Sequence, residues 1–261
     1  EKILKSQSLD WDYFIKIGSK HLILPSLYFN LERASMLKYV NDEVATYLKY
    51  VAEINQNRNK EILRQIREIN SLFIDNELQV AESDEHLYSS TFVNSGIKLN
   101  PAKDKSAIIG GGDGGVAREC ISQGFNLIDW YELDPEVVHV CEKHISKIGE
   151  KATAKNSVQC VWGDAFESIK KVEDNKYDKI FVDLNDDQYC IDLAAKNINS
   201  LKRILKPNGT ITAQVGSQDK KPKQVDNWLN LFDKSFGNTS LDRIYIPSFD
   251  CSWNFASSLN K

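Results

Sequence analysis

A carboxylate set inside a glycine-rich turn is the feature of this 261-residue chain with the plainest chemical meaning. The run Ile108-Ile109-Gly110-Gly111-Gly112-Asp113-Gly114-Gly115 has apolar residues before it and Val116-Ala117-Arg118-Glu119-Cys120 after it, which reads as strand, tight turn and helix. Glycines let such a turn bend sharply and approach a ligand closely. The spacing Gly110-x-Gly112-x-x-Gly115 also fits the dinucleotide fingerprint. Asp113 narrows the expectation, because an acid there repels a phosphate or carboxylate and attracts a cation. Its plainer alternative is a helix cap.

Further acids fall at the carboxyl ends of successive candidate strands, where doubly wound sheets bind ligands. Glu132 lies 22 residues after Gly110, the place for an acid that holds two ribose hydroxyls; the alternative is a solvated turn acid. Asp164, in Gly163-Asp164-Ala165-Phe166, suits the exocyclic amine of adenine or else caps the next helix. Together they indicate an adenosine-containing ligand without phosphates. Ordinary S-adenosylmethionine methyltransferases place an acid two positions before the first glycine, where this chain has Ile108. A carboxylate at Asp113 instead would oppose the ligand's own carboxylate and welcome a bare ammonium. That selects decarboxylated S-adenosylmethionine, a co-substrate with an aminopropyl tail on a sulfonium.

With Val182-Asp183-Leu184-Asn185-Asp186 added, these motifs resemble the polyamine aminopropyltransferases, the spermidine and spermine synthases. The likeness covers roughly residues 72 to 261. It reaches back to Asp75, Gln79, Ala81-Glu82-Ser83-Asp84 and Tyr88, and forward through Gln214 to Pro247-Ser248 and Trp253. It implies transfer of an aminopropyl group to a polyamine, putrescine or spermidine, with methylthioadenosine leaving and no metal or permanently bound cofactor. It implies that Asp183 positions and deprotonates the amine, a strand-end cap being the alternative. Asp84, Tyr88, Asp186 and Asp250 would serve the amine, and Gln79, Gly110, Gly112, Asp113, Glu132 and Asp164 the donor. A homodimer is an assembly the likeness leaves open.

Several residues depart from the family pattern. Ser89-Ser90 follow Tyr88 where spermidine synthases have His-Glu or Gln-Glu, and Ile246 replaces a tyrosine before Pro247-Ser248. Asp187 replaces a proline, and a late acid falls on Cys251 with Asp250 beside it. The spacing over 247–253 looks closer to spermine synthases and tilts the reading toward a longer amine. Rival readings are an S-adenosylmethionine methyltransferase, a nicotinamide dehydrogenase, and a catalytically inactive synthase-like binding protein.

The elements that must position these groups follow from periodicity. Strands are expected at Ala107–Ile109, Asn126–Tyr131, Ser157–Trp162, Lys179–Asp183 and Thr210–Val215, separated by helices such as Glu136–Ile148 and Ile191–Leu205. This alternation predicts an α/β fold: a doubly wound, Rossmann-like, methyltransferase-type parallel sheet over 101–261. Lys206-Pro207-Asn208-Gly209 reads as a turn launching the last strand. Residues 71–100 supply a β-hairpin, Leu72 to Val80 around Asp75-Asn76, and a linker to the site. Residues 1–70 form a helical accessory segment. Val44, Leu48, Val51 and Ile54, then Ile62, Ile66, Ile69 and Phe73, recur at helical spacing, with Asn41-Asp42 as a cap and Gln56-Asn57-Arg58-Asn59 as a break. About the first 75 residues resemble the leading helices of an uncharacterised bacterial nucleotidyltransferase family, but its glycine-serine and paired-aspartate motif does not follow.

Composition bounds the rest. The chain is 41% hydrophobic and 27% charged, the balance of a soluble globular protein, with no apolar run near a membrane span and no leader pattern. It begins at Glu1 rather than Met, which fits a trimmed chain or a fragment. A net charge of −4 without a basic run argues against nucleic acid. Five scattered cysteines suggest buried free thiols in a reducing, cytoplasmic setting. His139 and His144, five apart, miss the spacing of a helical metal pair.

Overall fold

A computed structural model describes residues 9–21, 23–68, 71–74 and 77–261, and of 61–68, 71, 73 and 74 the backbone alone. The chain divides into two units, Glu1–Glu68 and Ile69–Lys261. In the first, helices α1 (Trp11–Lys20), α2 (Leu24–Arg33) and α3 (Asp42–Glu68) enclose a small core of Leu24, Tyr28, Leu31, Leu48 and Ala52. Asp10 accepts the Tyr13 amide (3.0 Å) and Asn41 the Glu43 amide (2.8 Å), each satisfying a donor that a helix start leaves unpaired.

The expected break at Gln56-Asn57-Arg58-Asn59 does not occur; α3 runs through it. The patch holds no glycine or proline, and each residue costs only about 0.2–0.7 kcal/mol relative to alanine. Ile54 also leaves the expected stripe, being 50% exposed. Six residues past buried Leu48, it is turned about 240° around the helix. Residues 1–8, the side chains of Ile62, Ile66 and Phe73, and Ile69 lie outside the described residues, as do Asp75 and Asn76.

The second unit opens with an antiparallel hairpin, β1 (Ser71–Ile74) and β2 (Glu77–Ala81), then α4 (Glu85–Leu99). A seven-stranded sheet follows, built from β3 (Lys105–Gly110), β4 (Leu127–Glu132), β5 (Val158–Trp162), β6 (Tyr177–Asp183), β7 (Leu205–Gly216), β8 (Ser240–Ile246) and β9 (Cys251–Leu259). Its spatial order is β5-β4-β3-β6-β7-β9-β8. Strands β3 to β7 run parallel, whereas β9 pairs antiparallel with both β7 and β8.

The sheet is therefore mixed, and the last two strands are absent from the sequence reading. Strand β9 is rich in polar residues that periodicity assigns to loops. Asn254, Ser257 and Ser258 are nevertheless buried. Asn254 donates to the Gly216 carbonyl (2.8 Å) and Ser257 to the Thr212 hydroxyl (3.0 Å), which satisfies their polar groups inside the sheet. At the other end of β7, residues 206–209 belong to the strand itself, with Asn208 at φ 61°.

The remaining helices are α5 (Gly115–Ser122), α6 (Pro135–His144), α7 (Ser146–Gly149), α8 (Ala165–Ser168), α9 (Gln188–Ile204) and α10 (Pro222–Ser235). The expected helix 136–148 is two pieces, α6 and α7, because Ile145 leaves helical geometry at φ −126°, ψ 50°. Helices α9 and α10 press Ile191, Leu201, Trp228 and Phe232 onto one sheet face at Ile180, Val182 and Ala213. Helices α4 and α5 press Phe92, Val116 and Cys120 onto the other at Ile108, Phe181 and Phe255. Burial on both faces explains why β3 and β6 are continuous apolar runs rather than alternating ones.

The chain winds from β3 outward through β4 and β5, then returns to lay β6 on the opposite side of β3. That reversal opens a crevice at the carboxyl ends of β3 and β6, the usual ligand position in such sheets. Among the described residues no helix is long and apolar enough to cross a membrane. All five cysteines are free; Cys120, Cys141 and Cys251 are buried, and Cys160 and Cys190 only half-buried.

Candidate active site

Strand register places Gly110 directly beside Asp183 across β3 and β6. The Gly111 amide donates to the Asp183 carbonyl (3.0 Å), and the Trp130 indole to the Gly110 carbonyl (2.8 Å). Gly110 has φ 83°, and a Cβ there would sit 2.3 Å from the Asp183 carbonyl oxygen. Only glycine permits this approach. Asp113 Oδ1 accepts the Gly115 amide (2.7 Å), so the carboxylate is locked over the start of α5. Asp113 precedes the N-cap Gly114 and is not itself the cap, and the same side chain stands on the wall of a cavity.

That cavity is about 710 Å³ and lies within the second unit. Among the described residues, eight carboxylates and two lysines line it, with apolar walls that include Leu133, Val137 and Phe249. Of the expected site residues, Gln79, Asp84, Tyr88, Gly110, Gly112, Asp113, Glu132, Asp164, Asp183 and Asp186 all line it. Asp250 does not. It is exposed, at φ 48°, and accepts the Tyr245 hydroxyl (2.8 Å), because the 247–249 turn presents Ser248 and Phe249 to the cavity instead.

At the centre, the Tyr88 hydroxyl donates to Asp183 Oδ1 (2.6 Å). The Tyr88 ring is held edge-on by Phe92 and Phe255, with centroids 5.9 and 5.0 Å away. Burial pushes Asp183 up to about 6, opposed by the Tyr88 bond and reinforced by Glu132 and Glu85. Burial pushes Asp113 up to about 8, with Asp183 adding to the rise, and the Gly115 amide and Arg118 opposing it. Two carboxylates that repel each other in a desolvated site favour holding a proton or admitting a cation. Burial also raises Glu132, which accepts the Asp134 amide (3.0 Å). Asp164 caps α8 by accepting the Phe166 and Glu167 amides, both on Oδ1, so capping does not withdraw the residue from the cavity.

Two of the acids expected to serve the amine are already engaged. Asp84 is 5% exposed and accepts both the amide (2.6 Å) and hydroxyl (2.9 Å) of Ser248, which ties α4 to the 247–249 turn. Asp186 pairs with Lys221 at 3.2 Å. Gln79 donates to the Glu77 carbonyl at 3.3 Å. Gln214 accepts the Trp253 indole (3.1 Å) and donates to the Leu184 carbonyl, bracing the loop after Asp183.

Glu85, Arg118 and Lys221 have no role in the site expected from sequence. Glu85 is 3% exposed and pairs with Arg118 at 2.6 Å, while Arg118 also donates to the Ile148 carbonyl (3.0 Å). The signal for Glu85 is only its place after Asp84; the pairing needs α4 and α5 side by side. Ser89 is 1% exposed and donates to Glu85, and neither it nor Ser90 lines the cavity. These two departures therefore bear on the support of the site rather than on its wall.

The spermine/spermidine synthase domain family matches residues 85–261. An uncharacterised nucleotidyltransferase family matches residues 7–81. A polyamine aminopropyltransferase of Prochlorococcus marinus strain MIT 9215 is 33% identical over 197 residues, covering 73% of this chain and 69% of that protein. One from Korarchaeum cryptofilum is 25% identical over 188 residues, covering 71% and 58%. Among solved structures, a spermidine synthase complexed with the transition-state analogue AdoDATO superimposes with TM-score 0.65 at 19% identity, covering 72% of this chain and 64% of that one. The Thermotoga maritima spermidine synthase gives TM-score 0.67 at 20% identity, covering 72% and 65%. The chain thus spans just under two thirds of both solved synthases, which share its fold.

Proposed function

The chain belongs to the spermine/spermidine synthase domain family, and from that premise we propose that it transfers an aminopropyl group from decarboxylated S-adenosylmethionine to a polyamine. In this reading residues 101–261 are the transferase domain, 71–100 carry the hairpin and, in place of the expected linker, helix α4, which together complete the site, and 1–70 are a helical accessory. The five free thiols fit the reducing cytoplasm as its setting.

The observation that carries the proposal is the Asp113–Asp183 pair, desolvated and mutually repelling across the glycine turn. Cations relieve that repulsion, and this reaction brings them: a sulfonium and ammonium on the donor, and ammonium groups on the acceptor. Asp113 would hold the donor's ammonium and disfavour a donor that keeps its carboxylate. Glu132 would take the ribose hydroxyls, Asp164 the adenine amine, and Gln79 the aminopropyl chain. Gly110 and Gly112 let the donor lie against the turn. Asp84, Tyr88 and Asp186 would border the acceptor's path.

In the chemical step the amine lone pair forms a bond to the carbon beside sulfur while the carbon–sulfur bond breaks. The bonding electrons stay on sulfur and methylthioadenosine leaves neutral. The acceptor must first shed a proton, since an alkylammonium has a pKa of about 10.4. Asp183, at about 6, is ionised near neutral pH and is the group to take it, with Tyr88 fixing its orientation.

The test is methylthioadenosine release from the decarboxylated donor, with putrescine or spermidine as acceptor and S-adenosylmethionine as control donor. Amine-dependent release from the decarboxylated donor alone is expected. Methyl transfer from the control donor would overturn the reading in favour of a methyltransferase. Methylthioadenosine binding without turnover would leave a binding protein.

A further inference from the structure

We propose that Lys221 sets which amine this site accepts, its ammonium standing in for one charge of a longer polyamine and so favouring a diamine over a triamine. The inference rests on the aminopropyl-transfer reading and names the acceptor class within it. It runs against the tilt toward a longer amine drawn from the 247–253 spacing.

Asp186 is one of the acids expected to attract the acceptor. Its Oδ1 is held by the Lys221 ammonium at 3.2 Å, and the two side chains are only 15% and 34% exposed. Its Oδ2 lies beside Gly216. That residue has φ 80°, and a Cβ there would lie 2.9 Å from Oδ2. Lys221 also sits 4.0 Å from Glu77 Oε2 on β2, so it joins the hairpin to the loop after β6. A substrate ammonium would have to displace a protein ammonium already seated there.

The neighbouring charges leave no acid free to take the place of Asp186. Lys220, also on the cavity wall, donates to the neutral Phe249 carbonyl (2.6 Å), which leaves its positive charge uncompensated by that bond. Asp219, next in sequence, is taken by Arg243 at 2.7 Å. Among the described residues, by contrast, neither Asp113 nor Asp183 is in an ion pair. One part of the cavity therefore awaits cations, while around Lys221 the charges of Lys220 and Lys221 cancel those of Asp186 and Glu77 and leave no net pull on a further ammonium. Once its attacking nitrogen is deprotonated, a diamine keeps one ammonium and a triamine two. Lys221 cancels the pull of Asp186 on each remaining ammonium, so the effect of its charge grows with that number. A single like charge several ångströms away in a partly desolvated site changes affinity on the order of tenfold.

The test compares kcat/KM for putrescine and spermidine, at saturating decarboxylated donor, in the wild type and in Lys221→Arg, Lys221→Met and Lys221→Gln. The wild type is expected to prefer putrescine about tenfold or more. Arginine should keep that preference, and both neutral variants should shift the ratio toward spermidine about tenfold. Agreement between Met and Gln separates charge from shape, and methylthioadenosine binding by each variant shows that its donor site is folded. Should one neutral variant fail to fold, the other decides. A wild type that prefers spermidine, or a ratio unmoved in the neutral variants, overturns the role of Lys221 alone. No release with either amine in the wild type overturns the aminopropyl reading itself, and this inference with it.

Discussion

Replacing Asp183 with Asn should stabilise the ligand-free protein while removing transfer activity. In the unfolded chain this carboxyl titrates near 3.8, and in the cavity burial lifts it to about 6. The folded state therefore holds the proton more tightly than the unfolded state. As pH rises from below 3.8 toward 6, the wild type loses stability; above about 6 the loss is complete and constant. At about 1.4 kcal/mol per pKa unit, keeping Asp183 ionised at pH 7 costs about 3 kcal/mol, or about 2 kcal/mol once water in the open cavity screens it. The amide of Asn mimics the protonated acid and still offers Tyr88 an acceptor oxygen. The stability gap between variant and wild type should be near zero at pH 4 and grow to about 2–3 kcal/mol by pH 7. For a unit of this size that is roughly 4–12 °C in melting temperature. Tryptophan fluorescence is a suitable probe, since Trp130, Trp162, Trp228 and Trp253 all lie in the second unit. Transfer should fall by roughly 10²–10⁴. A variant that melts at or below the wild type at pH 7.5, or a gap that persists unchanged at pH 4, would refute the reasoning.

Tyr88→Phe removes the bond that holds Asp183 down, so the acid limb of the pH–rate profile should move to higher pH, with activity at pH 7 down roughly tenfold; an unshifted limb would show that this bond does not tune the base. Asp113→Asn should lower kcat/KM with the decarboxylated donor on the order of a hundredfold and narrow its binding advantage over S-adenosylmethionine, read by calorimetry with both donors. Asp250→Asn should leave kcat/KM within about twofold, because the side chain is exposed and faces Tyr245 rather than the cavity; a large drop would place it in the acceptor's path after all.

The glycine turn was legible because its demands are local: Gly110 must take a positive φ, and the apolar run before it must be a strand. The acids after β3, β4, β5 and β6 were legible for a related reason. In a doubly wound sheet each strand end points the next residues at the same crevice, so sequence position alone gathers Asp113, Glu132, Asp164 and Asp183. Helices over 136–148 and 191–205 were readable from the 3.6-residue period, whereas α4, expected as a linker, and α10 were not. Nor were helix interruptions, since Gln56 to Asn59 are tolerated in a helix and Ile145 breaks one without glycine or proline.

What the sequence could not contain was the partner each charge finds. Burial lifts Asp113 and Asp183, Tyr88 on α4 reaches Asp183 from 95 residues away, and Arg118 reaches Glu85 from another helix. Strand β9 could be polar only because β7 supplies acceptors inside the sheet. Asp250 and Asp186 read alike as acids near the amine, yet the fold turns one to solvent and closes the other with Lys221 from 35 residues away. Sequence thus determined the kind of chemistry, through residue type and strand-end spacing. Tertiary structure decided which charges remain free to act, because pairing and desolvation depend on distances that no local pattern records.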